Sequence, residues 1–383
     1  MSTDAFRALP GNGSPLRVLV VGAGAMGRAW LRAVESSPDV ELAGVVDLDP
    51  LVARAAADGA GAPGVPAGAD LAVLVHDTAP DAVVNVTVPA AHLPVTLGAL
   101  GLGLPVLGEK PAAATLPEAL CLIAAAELSG QLFMVSQSRR YHPELAAFKE
   151  RARRLGALGI LTTEFFKAPH FGGFRETMEH PLLLDMAIHP FDTARHLLDA
   201  DPVSVYCQEY NPSWSWYAGD AATTAVFEMT GGTRYLYNGS WCSPGLETSW
   251  NGAWRVSGAR GSARWNGDDP PETEETAETA EEGTADAVGD RGGAAPVASW
   301  GEGIEGSLAE FTHALRTGTV PMGEIHDNVL SLAMVASAVL SARTDRRVRV
   351  DDVLATAHAE ALGLAGGEVR DVLASWTSAA GGA

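Results

Sequence analysis

The sequence predicts an α/β protein in two parts: an N-terminal doubly wound parallel sheet over residues 1–137, and an α+β domain over residues 138–383 built on a large, mostly antiparallel sheet. Three observations predict it. Short apolar runs alternate with helical stretches as far as Ser136. A glycine-rich turn joins the first run to the first helix. Beyond Gln137 the rhythm changes to segments of alternating, aromatic-rich character separated by turn residues.

The elements follow in order. Residues 17–21 (RVLVV) form a nearly continuous apolar run, as expected of a strand covered on both faces, and end at Gly22. A helical stretch then runs to about Ser37. Residues 42–46 (LAGVV) are a second strand ending at Asp47, and 51–58 a helix. Residues 82–88 (AVVNVTV) are a strand closed by Pro89, followed by a helix over 92–102, a short strand at 106–107, a helix over 116–129 and a last strand over 132–136. In the second part a basic amphipathic helix spans 143–155 and a largely helical stretch 183–198. Strands follow at 203–210, 223–229, 233–240, 254–256 and 263–265; the turn Thr230-Gly231-Gly232-Thr233 makes a hairpin of two of them. Helices over 308–316 and 328–342 close the pattern.

Composition narrows the functional classes. A formal net charge of −21 argues against nucleic acid as a partner, because the phosphate backbone would be repelled. Ten acidic residues and no basic one lie between Asp268 and Asp290. Almost free of apolar side chains, this insertion (about 268–293) reads as a solvated, mobile loop between strands. No apolar run reaches the length of a membrane span, and residues 1–16 lack the basic-then-apolar pattern of a secretory signal, so a cytoplasmic location is expected. Cys121, Cys207 and Cys242 are scattered, odd in number and outside any Cys-x-x-Cys pair. Buried, reduced thiols are expected rather than a disulfide framework, and no metal site is expected.

The glycine turn is Gly22-x-Gly24-x-x-Gly27, placed between a predicted strand and a predicted helix. That context makes it a dinucleotide-binding fingerprint of the Rossmann kind. Gly22 permits the tight turn, Gly24 lets the backbone approach a pyrophosphate, and Gly27 allows helix and strand to pack closely, with Ala25 and Met26 at the helix N-terminus. Asp47, twenty residues past Gly27 at the end of the second strand, is placed to accept from the adenosine ribose hydroxyls. A carboxylate there repels a 2′-phosphate and Leu48 supplies no compensating charge, so NAD is expected in preference to NADP.

Further motifs carry a resemblance. The strand ending at Thr87-Val88-Pro89, then His92, a helix and Gly108-Glu109-Lys110-Pro111 resemble the Gfo/Idh/MocA oxidoreductases, the family of glucose-fructose oxidoreductase and inositol 2-dehydrogenase. Residues 139–143 (RRYHP) resemble that family's link into the second domain, and Asp185-x-x-x-His189-x-x-Asp192 its Asp-x-Gly-x-His-x-x-Asp signature. Glu310-Phe311, Arg316-Thr317-Gly318 and residues 341–350 resemble its C-terminal helices and final strand. The likeness runs from about Arg17 to Val350. The sequence departs from the pattern at Ala187, where the family has Gly, and at His180-Pro181-Leu182, where it often has glycines; the acidic insertion and the segment after Val350 are extra.

The resemblance implies an NAD(P)-dependent dehydrogenase that moves a hydride between a secondary alcohol of a sugar or inositol-like cyclic polyol and the nicotinamide. Lys110 takes the catalytic role by that likeness. Its place in the loop after a parallel strand also suits it to aim an ammonium at a substrate oxygen. His189 is the general acid/base candidate and Asp185 the group to orient it, with Pro190 tolerated only in a first helical turn or at a kink. Asp192 reads as a supporting carboxylate or a charge on the helix dipole. The expected cofactor contacts are Gly22, Gly24, Ala25, Met26, Gly27, Asp47, Thr87, Val88, Pro89, His92, Glu109, Lys110 and Gln137, and the expected substrate contacts Arg139, His170, Arg175, Asp185 and His189, with His180 in the same loop. Trp214, Trp216, Trp241, Tyr206, Tyr210, Tyr217, Tyr235 and Tyr237 read as sheet aromatics that form a homodimer or homotetramer interface more readily than a sugar platform. Two other readings stay open: a relative that retains NAD and uses it transiently, as some glycosidases do, and a non-catalytic dinucleotide-binding regulator.

Overall fold

The computed structural model describes residues 6–9, 11, 13–276 and 300–379. The chain divides into two compact units. The first takes Met1–Ser138, Glu302–Ala336 and Val350–Ala383, the second Arg139–Gly301 and Ser337–Arg349.

In the first unit, β1 (Leu16–Val21), α1 (Ala25–Ser36), β2 (Val40–Val46), α2 (Pro50–Gly59), β3 (Ala67–Gly68), α3 (Leu71–Thr78), β4 (Ala82–Asn85), α4 (Pro89–Gly101), β5 (Val106–Glu109), α5 (Leu116–Ser129) and β6 (Phe133–Ser136) follow one another. The six strands are all parallel, in the order β3-β2-β1-β4-β5-β6. Val18, Leu19, Val20, Val83, Val84, Val106 and Leu107 are fully buried, each such side chain contributing roughly 1.5–3 kcal/mol. The strand order reverses between β1 and β4. Ligands of such sheets bind in the crevice outside the strands' carboxyl ends at that point. Neither β3 nor α3 is visible in the sequence pattern. A two-residue strand has no period to read, and the run Leu-Ala-Val-Leu-Val at the start of α3 mimics a strand.

The second unit begins with α6 (Pro143–Arg154), β7 (Leu158–Phe166) and, after a loop, a π-helical turn over Leu182–Met186 that leads into α7 (Ile188–Leu198). There follow β8 (Pro202–Tyr210), β9 (Ala222–Met229), β10 (Arg234–Ser240), β11 (Ala253–Gly258), β12 (Gly261–Trp265) and β13 (Glu272–Glu275). After α8 (Gly303–Thr317) and α9 (Ile325–Thr344), which belong to the first unit as far as Ala336, β14 (Val348–Arg349) completes the sheet in the order β13-β12-β11-β7-β10-β9-β8-β14. Its pairings are antiparallel except β7 with β10. The hairpin at Thr230–Thr233 is present, joining β9 to β10.

Strand β7 went unread in the sequence although it lies at the sheet's centre; Leu161, Thr163 and Phe165 alternate inward along it. Strand β13 uses the first residues of the acidic insertion, Glu272–Glu275, which therefore do not form a loop. Residues 277–293 of that expected loop lie outside the described residues.

One face of the sheet is packed with aromatic rings. Phe191 of α7 meets Phe227 at 4.8 Å and Tyr237 at 5.3 Å between centroids. Tyr235, Tyr237 and Trp241 thus belong to the core rather than to an exposed interface face. The residues that do face outward include Ile160, Tyr206 and Val226, with Glu164, Asn238 and Arg255 among them.

The expected second domain included everything after residue 137. The segments 302–336 and 350–379 pack with the parallel sheet instead. Two helices the sequence pattern did not reveal, α10 (Val350–Leu364) and α11 (Gly367–Ala379), lie on α5. This explains why α5 is apolar nearly all round, with nine buried residues in fourteen. The Cys121 thiol of α5 donates to the Ala361 carbonyl of α10, and all three cysteines are buried and unbridged. Helix α9 has the length and hydropathy of a membrane span, but 61% of that window is buried within the protein, as in a core helix.

A charged cluster ties these pieces together. The His326 ring meets Glu324 Oε1 at 2.7 Å and Glu127 Oε1 at 3.0 Å, and Trp376 donates to Glu127 Oε2 at 2.9 Å. The Glu324 bond, opposed by desolvation and helped by Glu127, raises the His326 imidazole to about 9. A raised histidine stabilises the fold fully below its ordinary value near 6.5 and loses that contribution as pH climbs through about 9. The stability gap between the wild-type and His326→Gln chains should therefore shrink from pH 6.5 to 10, by at most about 1 kcal/mol after solvent screening. A gap that stays constant in urea titrations across this range would refute the pairing.

Candidate active site

The glycine turn is built as its spacing demands. Gly22 has φ +103°, and a Cβ there would come within 2.7 Å of the Val86 carbonyl oxygen. A Cβ on Gly27 would overlap the Gly22 carbonyl. Above Gly24 there is open space, and as N-cap of α1 it leaves the helix without a side-chain cap or an acidic residue in the first turn. Uncapped amides at Ala25 and Met26, both exposed, face that space. The Asp47 carboxylate accepts from Ala23 N–H at 2.8 Å through Oδ2 and from Asp49 N–H at 3.2 Å through Oδ1. Each oxygen keeps a second lone pair for a ligand hydroxyl. Leu48 beside it is 95% exposed.

Asn85, fully buried at the end of β4, shapes the next loop. Its amide donates to Thr96, and its carbonyl accepts from the Thr87 amide and hydroxyl. His92 is buried between two backbone carbonyls, Nδ1 at 2.6 Å from Pro111 O and Nε2 at 3.1 Å from Thr87 O. It clasps the β4 and β5 loops together. At the end of β6, the buried Ser136 Oγ and Gln137 Nε2 have no hydrogen-bond partner among the described residues. The open space over Gly24, the uncapped amides, the Asp47 lone pairs and the two orphaned polar atoms fit an anionic, hydroxyl-bearing dinucleotide laid across the carboxyl ends of β1, β2, β4 and β6.

Lys110 follows β5 in the same unit. Glu109 fixes its backbone: Oε2 accepts from the Lys110 N–H at 3.2 Å, while Oε1 accepts from Trp30 Nε1 of α1 at 2.8 Å. Glu109 thus spends a lone pair of each oxygen on holding the loop. Sequence reasoning missed Trp30, since a lone tryptophan on a helix face carries no signal. It also missed Asn85, although an asparagine at the end of an otherwise apolar buried strand was a usable one.

In the second unit the chain brings Arg175 and Asp185 together, Nε donating to Oδ2 at 2.9 Å. Asp185 lies in the π turn, which closes with Ala187 N–H donating to Leu182 O. His189 follows in the first turn of α7, where Pro190 costs no helical bond. The residue pair is therefore not on a regular helical face; π turns of this kind recur at functional sites. Arg139 donates to Met186 Sδ at 3.7 Å, and burial pulls its guanidinium down to about 10. His170 stacks on Trp216, centroids 3.7 Å apart. His180 turns away into Glu209, 2.6 Å from Nδ1, which raises its imidazole above the ordinary value. Asp192 is a structural carboxylate, bound through both oxygens by Arg140 at 2.7 and 2.8 Å. Phe171 and Phe174, flanking the Arg175 guanidinium, also went unread; paired aromatics about two glycines in a loop were the available signal.

Residues 16–137 match the profile described as oxidoreductase family, NAD-binding Rossmann fold (GFO_IDH_MocA), and residues 152–264 that of the GFO/IDH/MocA C-terminal domain. Inositol 2-dehydrogenase 4 of Saccharopolyspora erythraea is 33% identical over 195 residues, 50% of this chain and 56% of that protein. The chain thus spans little more than half of that relative. D-apiose dehydrogenase of Paraburkholderia graminis is 27% identical over 359 residues, covering 89% of this chain and 91% of that one. The crystal structure of an oxidoreductase from Agrobacterium radiobacter in complex with NAD+, L-tartaric acid and magnesium superposes with a TM-score of 0.74 at 19% identity, over 88% of this chain and 99% of that one.

Proposed function

Because this chain belongs to the Gfo/Idh/MocA family of NAD-binding oxidoreductases, we propose that it oxidises, reversibly, a secondary alcohol of a sugar or cyclic polyol. The observation that carries the reading is the Gly22–Gly27 cradle with Asp47, placed at the reversal of strand order beside the Glu109-Lys110-Pro111 loop. Bound NAD supplies the hydride acceptor. Lys110 offers its ammonium to the substrate oxygen and stabilises the negative charge that develops there. His189 takes the hydroxyl proton, and Asp185 sets the charge beside it while holding Arg175. The relatives named as inositol 2-dehydrogenase and D-apiose dehydrogenase support the substrate class.

The test follows reduced-nicotinamide absorbance with purified protein, NAD and a panel of inositols, aldoses, alditols and their uronate and phosphate forms. A rise with any member supports the reading; tightly bound NAD with no net reduction by any of them would replace it with transient cofactor use. The Asp47 carboxylate favours NAD over NADP. NADH should bind about tenfold or more tighter than NADPH, since a 2′-phosphate would face a like charge. Tighter NADPH binding in a fluorescence titration would overturn this. The outward sheet face bearing Ile160, Tyr206 and Val226 is the proposed surface of a homodimer or homotetramer, in the cytoplasm. Light scattering that reads a monomer at micromolar concentration would refute the assembly.

A further inference from the structure

Arg175 is fixed on one side and unused on the other. Nε donates to Asp185, and the guanidinium carbon lies 4.9 Å from the Phe174 ring centroid and 5.3 Å from that of Phe171. Among the described residues no acceptor meets Nη1 or Nη2, and the side chain is 38% exposed. The Nε bond and the two rings remove most of the rotamer freedom that an exposed arginine otherwise keeps. The rings gain little from the core in return: Phe171 is 48% and Phe174 63% exposed, on a loop whose Gly172 and Gly173 both have positive φ.

What the arrangement presents is the Nη1/Nη2 edge, two N–H donors pointing the same way from a rigid plane. That edge matches the two oxygens of a carboxylate or phosphate, and it has no acceptor to offer. A neutral ring hydroxyl needs both kinds of partner for full satisfaction, and the Nη1/Nη2 edge supplies donors only. Asp185 also begins the Asp185-x-x-x-His189 stretch, so the free edge lies beside residues proposed to act on the substrate. We infer that Arg175 determines specificity for an oxyanion, carboxylate or phosphate, carried by the substrate. The inference rests on the reading of the chain as an oxidoreductase of sugars or polyols, and narrows it to acidic derivatives.

Calorimetric titration of the NAD-loaded protein with hexose, hexuronate and hexose 6-phosphate in the gluco, galacto and manno series tests it. In at least one series an acidic ligand should bind tenfold or more tighter than the parent hexose. Arg175→Met should reduce that advantage below threefold. Arg175→Lys, which keeps the charge but loses the fork, should restore only part of it. Whether the uronate or the phosphate gains identifies the oxyanion. Equal binding of neutral and acidic ligands, an advantage that survives Arg175→Met in a variant with unchanged melting, or no binding in any series would overturn the inference. NADH formation from a neutral sugar without help from Arg175 would sink the oxyanion and leave the oxidoreductase standing. Binding that depends on Arg175 without NADH formation from any panel member would do the reverse.

Discussion

Truncation of Lys110 to alanine should lower turnover by about 10²–10³-fold while NAD binds within about threefold of wild type. The split follows from how the loop is held. Glu109 grips the Lys110 backbone amide, and Trp30 grips Glu109, so both bonds survive loss of the side chain. The cradle at Gly22–Gly27 and Asp47 contributes its contacts independently of the ammonium. What is lost is the positive charge proposed to meet the substrate oxygen as it becomes negative. A fluorescence titration reads the binding and reduced-nicotinamide absorbance reads the turnover. Unchanged turnover would remove Lys110 from the chemistry; equal losses in both would make it a cofactor-binding residue.

A second large effect is expected far from any reacting atom. Asp192 and Arg140 are bound bidentately with side chains only 2% and 5% exposed. Asp192→Ala would leave a buried guanidinium without its carboxylate, a change that costs roughly 3–5 kcal/mol, although replacing both partners by apolar groups of similar volume can be neutral. The urea midpoint of the second unit, followed by tryptophan fluorescence, should fall accordingly, and Asp192→Asn should recover part of the loss. A change below about 1 kcal/mol would mean that water reaches the pair.

The sequence made five of the first unit's six strands legible because strands buried on both faces must be continuously apolar, and the Gly22–Gly27 spacing is tied to backbone geometry rather than to side-chain choice. Lys110, Asp185 and His189 could be proposed as reacting residues only in combination, through motifs in a fixed order. Long-range pairings were not legible. Nothing local to Trp30 says that it reaches Glu109, and nothing local to Asp192 says that Arg140 covers it, fifty-two residues away in the chain. Strand β7 was obscured because Gly159 and the adjacent Thr162 and Thr163 blur an inward alternation that only three residues express. The exposed aromatics around Arg175 were hidden for the opposite reason, since loops have no period to betray them.

The cover of α5 has a consequence for the order in which the protein is made. The parallel sheet is synthesised within little more than the first third of the chain, yet α10 and α11, which pack on α5, are made after the whole second unit. Until then α5 lacks the two helices that pack on it, and the Cys121 thiol lacks the Ala361 carbonyl it meets in the folded chain. In that interval the uncovered surface is open to association with neighbouring chains, the hazard that chaperones counter.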